Sequence, residues 1–309
     1  MTAVTSNNPS PDQLRNAIIE FVRDYSIEAT THDAGKLDEF AQVIPAGKCI
    51  YIAHLPGVPL DDIVQLAGSL RERGWVPVPH IVARRLESRA QLEKALADLK
   101  ACNVDQALVI ARDVTADKPA FDSSLEVLQT GLFKQYDFRA VGVAGHPEGS
   151  AAIGAERVEA ALRGKVEYAR SSGLNLYFAT QFGFDPEMFV TWEAQTSAAG
   201  VTLPIHAGMP GPATIRQLVK YAMVCGIGAS ARMLTTRTGA MANLLRTQAP
   251  DDQIAYIARH RAMNPNSRLV KPHFFAFGGV LKTARWVNAV AAGRFALNAE
   301  ANGFRVEEN

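Results

Sequence analysis

The stretch Tyr177–Pro186, YFATQFGFDP, runs from an aromatic segment through a polar amide into an Asp-Pro pair. Aromatic residues are enriched in strands, whereas Asp followed by Pro is typical of the first positions of a helix. The stretch therefore predicts a strand that ends at Gln181 and is followed at once by a helix. In parallel α/β folds ligands bind at this carboxyl end of the strands, because the loops there vary without disturbing the sheet.

The same order of strand and helix recurs along the chain. Eight short runs have the composition of strands, namely Tyr25–Ala29, Cys49–Ala53, Val76–Ile81, Gln106–Ile110, Arg139–Val143, Asn175–Thr180, Val201–His206 and His273–Phe277. Between them apolar residues recur at helical spacing, as Leu92, Leu96 and Leu99 do after the N-cap candidate Ser88. This alternation predicts parallel strands, and eight units favour a closed (β/α)8 TIM barrel. An open doubly wound sheet is the alternative.

The domain prediction follows from the spacing of these runs. We expect one catalytic barrel domain over residues 21–309, preceded by a polar segment over residues 1–20 that includes the start of the first helix. Strands seven and eight are separated by roughly 65 residues, more than one crossover helix needs. Met233–Leu245 and Asp251–Met263 have helical patterns, so a helical insertion is predicted between these strands.

Composition excludes several classes of partner. The 32 basic and 31 acidic residues give a net charge of +1 without a dense basic run, so nucleic acid is not an expected partner. Cys49, Cys102 and Cys225 are isolated, which predicts neither a disulfide framework nor a thiolate zinc site. The amino terminus has no signal-peptide pattern, and no apolar run is long enough to span a membrane. A cytoplasmic protein that binds small molecules and forms a homo-oligomer is expected.

Polar residues recur at or near the carboxyl ends of the predicted strands. These residues are Glu28, His54, His80, Asp113, His146, Gln181 and His206. Taken singly, each has a structural explanation as a cap or a satisfied polar side chain. Together they occupy the same phase of the repeating unit, so a barrel would gather them in one cavity.

Two kinds of chemistry fit such a cavity. Four histidines and a carboxylate could ligate a divalent metal for hydrolysis, but no strand has the paired-histidine spacing by which one element supplies two ligands. The other interpretation is a planar cofactor across the barrel mouth, with its phosphates near Arg163 and Lys165. The prediction at this stage is a site without a metal.

In the order of its motifs the chain resembles the methylenetetrahydrofolate reductase family, whose members are flavin-containing (β/α)8 barrels. The resemblance covers about Ser26 to Phe277 and is most specific at Thr180–Asp185, TQFGFD, which is similar to the family's T-Q-F-F-F-D. The other motifs that match the family in order are Pro79–Ile81, Val143–Glu148, Leu162–Val166 and Ile205–Pro210.

This resemblance implies a FAD-dependent oxidoreductase that interconverts 5,10-methylenetetrahydrofolate and 5-methyltetrahydrofolate by hydride transfer through flavin N5. NADH or NADPH would be the electron partner, and a methyl-group catabolic pathway is one setting for the oxidative direction. The resemblance makes Glu28 the proton donor, Asp113 a second catalytic residue near flavin and substrate, and Gln181 a substrate contact. It further implies substrate contacts at Phe182 and Ile215 and cofactor contacts at His54, His80, Arg112, His146, Arg163 and Lys165.

The chain also departs from the family pattern. Ala111–Asp113 stands where the family has R-G-D, and Ile215 aligns with an aromatic that stacks on the substrate. Three alternatives therefore stay open. They are a flavin-free folate oxidoreductase that uses a nicotinamide directly, a barrel that binds folate or flavin without turnover, and a metal-dependent hydrolase that uses the strand-end histidines.

Overall fold

The computed structural model describes residues 8–111, 119–150, 153–224 and 245–307. Its strands are β1 Ser26–Thr30, β2 Cys49–Ala53, β3 Val76–Val82, β4 Gln106–Ile110, β5 Ala140–Gly145, β6 Leu176–Thr180, β7 Ile205–Pro210, β8 Ala213–Thr214, β9 Thr247–Gln248, β10 Leu269–Phe275, β11 Phe295–Leu297 and β12 Phe304–Val306. Its α-helices are α1 Pro11–Arg23, α2 Leu37–Val43, α3 Leu60–Glu72, α4 Arg89–Ala101, α5 Ser124–Gln129, α6 Leu132–Gln135, α7 Ala155–Ser172, α8 Pro186–Ala198, α9 Ile215–Val224, α10 Asp251–Met263 and α11 Val280–Ala291.

Eight of these strands form a closed barrel, which confirms the predicted TIM-barrel fold. Their order around the barrel is β1-β10-β7-β6-β5-β4-β3-β2, and neighbours from β1 through β7 pair in parallel. The four remaining strands form two small two-stranded sheets, β8 with β9 and β11 with β12. The doubly wound alternative is therefore wrong.

Two predicted strands are displaced along the chain. The run predicted as Val201–His206 is a strand only from Ile205, and β7 continues to Pro210. The run predicted as His273–Phe277 ends at Phe275 and begins four residues earlier, at Leu269. His206 is consequently the second residue of its strand, not the residue that ends it.

The predicted helical insertion is described in part. Asp251–Met263 is a helix with the predicted bounds. Met233–Leu245 lies outside the described residues except for Leu245, which is in a turn. Cys225 also lies outside the described residues, whereas Cys49 and Cys102 are free thiols.

Contacts within the chain define two compact units. The first unit comprises Ser26–Gln181 and Leu203–His206, and the second comprises Met1–Tyr25, Phe182–Thr202 and Ala207–Asn309. Among the described residues, no helix is long and apolar enough to span a bilayer.

A buried carboxylate organises one part of the second unit. Glu193 on α8 accepts hydrogen bonds from the Ser267 hydroxyl at 2.9 Å and from the backbone N–H of Arg268. Its other oxygen lies 2.8 Å from Nε2 of His260 on α10. Burial alone would raise the pKa of Glu193, but the hydrogen bonds from His260, Ser267 and Arg268 outweigh it and hold that pKa below its ordinary value.

The lowered pKa of Glu193 predicts a loss of stability in acid. A carboxyl whose pKa is lower in the folded than in the unfolded state stabilises the fold above its unfolded pKa, and this contribution disappears as the pH falls. The free energy of unfolding, measured with urea, should therefore fall as the pH drops below the ordinary value of 4.5. Glu193→Gln should flatten that fall, and equal slopes for the two proteins would contradict the assignment.

Candidate functional site

A carboxylate and an imidazole lie together on the inner face of the first unit. Oε2 of Glu28 on β1 is 3.5 Å from Nε2 of His80 on β3. Both side chains are largely buried, with 17% of the Glu28 side chain and 7% of the His80 side chain exposed. At this separation the two groups form an ion pair when the imidazole is protonated, and Glu28 is the member of the pair that solvent reaches more easily.

Strand register places these two residues on the same face of the sheet. Glu28 is directly opposite Tyr51 on β2, and Tyr51 is directly opposite Val78 on β3. His80, two residues after Val78, is directly opposite Leu108 on β4. Because paired residues of neighbouring strands point to the same face, Glu28 and His80 share it with Tyr51 and Leu108. Tyr51 reaches across to residues of β6 and β7, which identifies this face as the interior of the barrel.

Three further side chains form a hydrogen-bonded chain inside the first unit. The hydroxyl oxygens of Tyr51 on β2 and Tyr177 on β6 are 2.7 Å apart, and the Tyr51 oxygen is 3.1 Å from Nδ1 of His206 on β7. The rings of Tyr177 and His206 are stacked, with centroids 4.1 Å apart. Sequence reasoning found His206 but missed both tyrosines, because a tyrosine within a strand has the pattern of an ordinary core residue.

The two tyrosines remain protonated at neutral pH. Burial raises the pKa of Tyr51 well above its ordinary value, and the Tyr177 hydroxyl and the Glu28 charge raise it further. Burial likewise raises the pKa of Tyr177, although its hydrogen bond with Tyr51 opposes this. Tyr51 and Tyr177 are thus neutral, and their hydroxyls act as hydrogen-bond donors and acceptors rather than as charges.

Three other predicted site residues directly follow strands of the first unit. His54 follows β2, is buried, and has its Nε2 2.8 Å from the Val58 carbonyl oxygen in the same loop. His146 follows β5, and the half-buried Gln181 follows β6 and donates its backbone N–H to the Gly145 carbonyl at 3.0 Å. The structure therefore brings these residues to the carboxyl ends of their strands, as the sequence predicts.

A buried lysine lies beside one of these strand ends. Lys165 on α7 is 4% exposed, and its ammonium donates to the Ala144 carbonyl near the end of β5 at 3.1 Å. Burial lowers the pKa of Lys165 to about 8. Burial, with a smaller effect from Lys165, lowers the pKa of His146 to about 4, so that imidazole is neutral at pH 7.

Arg163 and Lys165 were predicted to act together on cofactor phosphates, but they have different surroundings. The Arg163 guanidinium pairs with Glu159 one helical turn earlier at 2.7 Å, and both side chains are largely exposed. Lys165, by contrast, is buried. The structure therefore groups Lys165 with His146 and leaves Arg163 on the solvent face of α7.

The predicted substrate contacts Phe182 and Ile215 belong to the second unit and are buried there. They pack among aromatic side chains that follow β6, lie on α9, or end or follow β10. The aromatic members are Phe182, Phe184, Tyr221, Phe275 and Phe277. Tyr221 and Phe277 are stacked at 4.2 Å, and Phe182 meets Phe277 edge-on at 4.7 Å. The sequence signal for this cluster was the run FFAF at 274–277.

Arg112 and Asp113 lie outside the described residues. Among the residues that are described, no three His, Cys, Asp or Glu side chains are grouped so that they could hold a metal ion.

Comparison with known proteins gives no family match, because no protein-family model matches the chain. Among solved structures, the chain is similar to a protein of Burkholderia cenocepacia J2315 assigned as a phosphonomutase. That similarity has a TM-score of 0.47 and 9% identity, and covers 88% of this chain and 92% of the other. A second similar structure is 2,3-dimethylmalate lyase, a PEP mutase/isocitrate lyase superfamily member. Its TM-score is 0.44 at 10% identity, over 86% of this chain and 80% of that one.

These comparisons correct the family expectation drawn from the motifs. The similar structures are a phosphonomutase and a lyase rather than folate reductases, and no reductase model matches. The predicted recognition, the class of oxidoreductase acting on CH–NH donors, the folate reaction and the cofactors FAD and NADH or NADPH are therefore wrong. The flavin-free and metal-hydrolase alternatives are not supported either. At these identities and TM-scores the activities of the two similar proteins are not carried over to this chain.

Proposed function

We propose that this protein is an enzyme that moves a proton next to a carbonyl group of a small anionic substrate. The observation that carries the proposal is the pair of Glu28 and His80, held 3.5 Å apart inside the first unit. Barrel enzymes place their chemistry at the carboxyl ends of the strands. A carboxylate that is largely desolvated and backed by an imidazole suits proton abstraction and return.

The two members of the pair have different roles. Glu28 retains more exposure than His80, so it is the group that takes the proton from the substrate and returns it. Removal of the proton leaves the substrate as an enolate, and the proton resides on Glu28 until it is returned to the carbon or exchanged with solvent. His80 keeps the carboxylate oriented through its Nε2. Positioned acid–base groups of this kind contribute about 100-fold to 10,000-fold to a rate.

Lys165 and His146 support an anionic substrate. The ammonium of Lys165 is buried at the end of β5, where the contact found for it is a neutral carbonyl oxygen. A desolvated cation that meets a carbonyl rather than a carboxylate favours binding of a carboxylate or phosphate. We assign Lys165 to the anionic group of the substrate, with His146 as a neutral hydrogen-bonding neighbour.

The test of this function is exchange of carbon-bound hydrogen with solvent. The full-length protein would be incubated in D2O with pyruvate, 2-oxoglutarate or dihydroxyacetone phosphate, and deuterium incorporation would be followed by proton NMR. We expect catalysed exchange into at least one of these probes. Exchange no faster than in a protein-free control with all three would overturn the proposal.

The pKa of Lys165 gives a second prediction, on the pH dependence of anion binding. The amine is a cation below its pKa of about 8 and loses its charge above it. His146, whose pKa is about 4, stays neutral across this range. Sulfate, which does not titrate near neutrality, should therefore bind roughly tenfold more weakly at pH 9 than at pH 7.

Calorimetric titration with sulfate measures this effect. Lys165→Met should bind sulfate weakly at both pH values. Lys134→Met is the matched control, because Lys134 donates to the Ser172 carbonyl at an exposed position. Sulfate binding that is independent of pH in the wild type, or unchanged in Lys165→Met, would show that Lys165 does not bind the anion.

A further inference from the structure

We infer that Tyr51 is a positioning residue, which acts through His80 to hold the Glu28–His80 pair in its reactive arrangement. The inference rests on the proposed function for the role of that pair. Its structural basis is a series of contacts that runs from His206 and Tyr177 through Tyr51 to His80. Each of these four residues lies on a different strand.

The hydroxyl of Tyr51 is fixed at its far end. It lies 2.7 Å from the Tyr177 hydroxyl and 3.1 Å from Nδ1 of His206. A tyrosine hydroxyl has a single proton, so Tyr51 donates in at most one of these two bonds and accepts in the other. Both neighbours contact the hydroxyl, and the three side chains are buried, at 1% exposure for Tyr51, 5% for Tyr177 and 9% for His206.

The ring of Tyr51 transmits this constraint to His80. Its centroid is 6.2 Å from that of the His80 imidazole, and the two planes are nearly perpendicular at 84°. This is the edge-to-face arrangement that aromatic pairs favour. The imidazole is thus packed against a ring whose position is fixed, because a change in the χ1 angle of Tyr51 would carry its hydroxyl away from both partners.

Tyr51 is also coupled to Glu28. The two residues are directly opposite on β1 and β2, and the Glu28 charge is one of the causes that raise the pKa of Tyr51. Tyr51 therefore adjoins both members of the pair, while its hydroxyl is bonded away from them. This placement sets the orientation of His80 and keeps a neutral phenol, not a phenolate, beside the carboxylate.

The test uses two readouts on the full-length protein, with Tyr51→Phe as the variant that keeps the ring and loses the hydroxyl. The first readout is the 15N spectrum of the histidine side chains in protein labelled at its seven histidines. The His80 and His206 signals would be assigned from His80→Asn and His206→Asn. The second readout is deuterium exchange into whichever probe the wild type accepts. Tyr168→Phe is the control, because the Tyr168 hydroxyl bonds the Leu128 carbonyl on the helical side of the first unit.

We expect Tyr51→Phe to shift both the His206 and the His80 signals and to slow exchange roughly tenfold, as loss of alignment does in other active sites. Tyr168→Phe should shift neither signal. A shift of His206 alone, with the His80 signal and the exchange rate unchanged, would overturn the inference and leave Tyr51 a structural residue. If Tyr51→Phe fails to fold, Tyr177→Phe removes the Tyr51–Tyr177 bond and must shift the His80 signal for the inference to stand.

The two proposals can fail separately. If the wild type exchanges none of the probes, the proposed function is lost. The His80 signal then still decides whether Tyr51 positions that imidazole. Conversely, an exchange rate that falls in Glu28→Gln but not in Tyr51→Phe would support the proposed function and contradict the positioning role of Tyr51.

Discussion

Glu28→Gln should slow deuterium exchange into the accepted probe at least about 100-fold while leaving the fold intact. The amide has nearly the size of the carboxylate and can occupy the same place beside His80. It cannot take a proton from carbon at neutral pH, so the chemical step loses its base. Exchange rates measured by proton NMR, with circular dichroism as the check on folding, give the comparison.

The matched control is Glu159→Gln. Glu159 is an exposed residue of α7 that pairs with Arg163, so the same chemical change there should leave exchange within about twofold of the wild type. Exchange by Glu28→Gln at the wild-type rate would remove Glu28 from the reaction. Equal losses in Glu28→Gln and Glu159→Gln would show that the effect is not specific to the site.

Gly142→Ala should destabilise the protein by about 2 kcal/mol, because the barrel interior has no room for the added methyl group. Gly142 on β5 is directly opposite Tyr177. A Cβ at position 142 would lie 2.8 Å from Cζ and 2.9 Å from the hydroxyl oxygen of Tyr177. The ring cannot move aside without breaking its hydroxyl contact with Tyr51 and its stacking on His206.

Urea denaturation of Gly142→Ala and Gly35→Ala separates this crowding from the general effect of replacing a glycine. Gly35 belongs to the same unit and has no heavy atom within 4 Å of an added Cβ. Its substitution should change the free energy of unfolding by less than about 0.5 kcal/mol. Equal stabilities for the two variants would show that the Tyr177 ring is not tightly confined.

The sequence predicts the barrel because its strand signals repeat, and it fails locally near two prolines. Val201 and Leu203 are apolar but precede Pro204 and β7, so the run that contains them was predicted four residues too early. Pro272 lies inside β10, and because of it the first half of that strand was not predicted. A proline cannot donate a ladder hydrogen bond, which makes a run that contains it resemble a loop.

The candidate site was predictable to the extent that it follows the phase of the repeat. Glu28 and His80 were singled out because polar residues recur at the same phase of the strand–helix unit, and the site that they form remains a prediction. Their contact at 3.5 Å and the link between Tyr51 and Tyr177 were not predictable, because they join strands far apart in sequence. The register of the closed barrel decides which side chains meet. Strand patterns in a single sequence indicate where the strands are, but they do not give that register.

The motif resemblance failed for a related reason. A strand that ends in a polar residue and is followed by Asp-Pro is typical of strand-to-helix turns in general, and it is therefore not specific to one family. Short motifs of this kind report a fold that many enzymes share, whereas activity depends on the site. The fold that the motifs implied is confirmed, and the cofactor and reaction that they implied are not.

The proposed proton transfer requires a substrate carbonyl to contact the Glu28–His80 pair inside the barrel. A crystal structure with bound oxalate, a stable planar mimic of the enolate of pyruvate, tests this contact most directly. We expect oxalate to bind with one oxygen within hydrogen-bonding distance of the Glu28 or His80 side chain. Oxalate bound elsewhere, with the Glu28–His80 pair untouched, would contradict it.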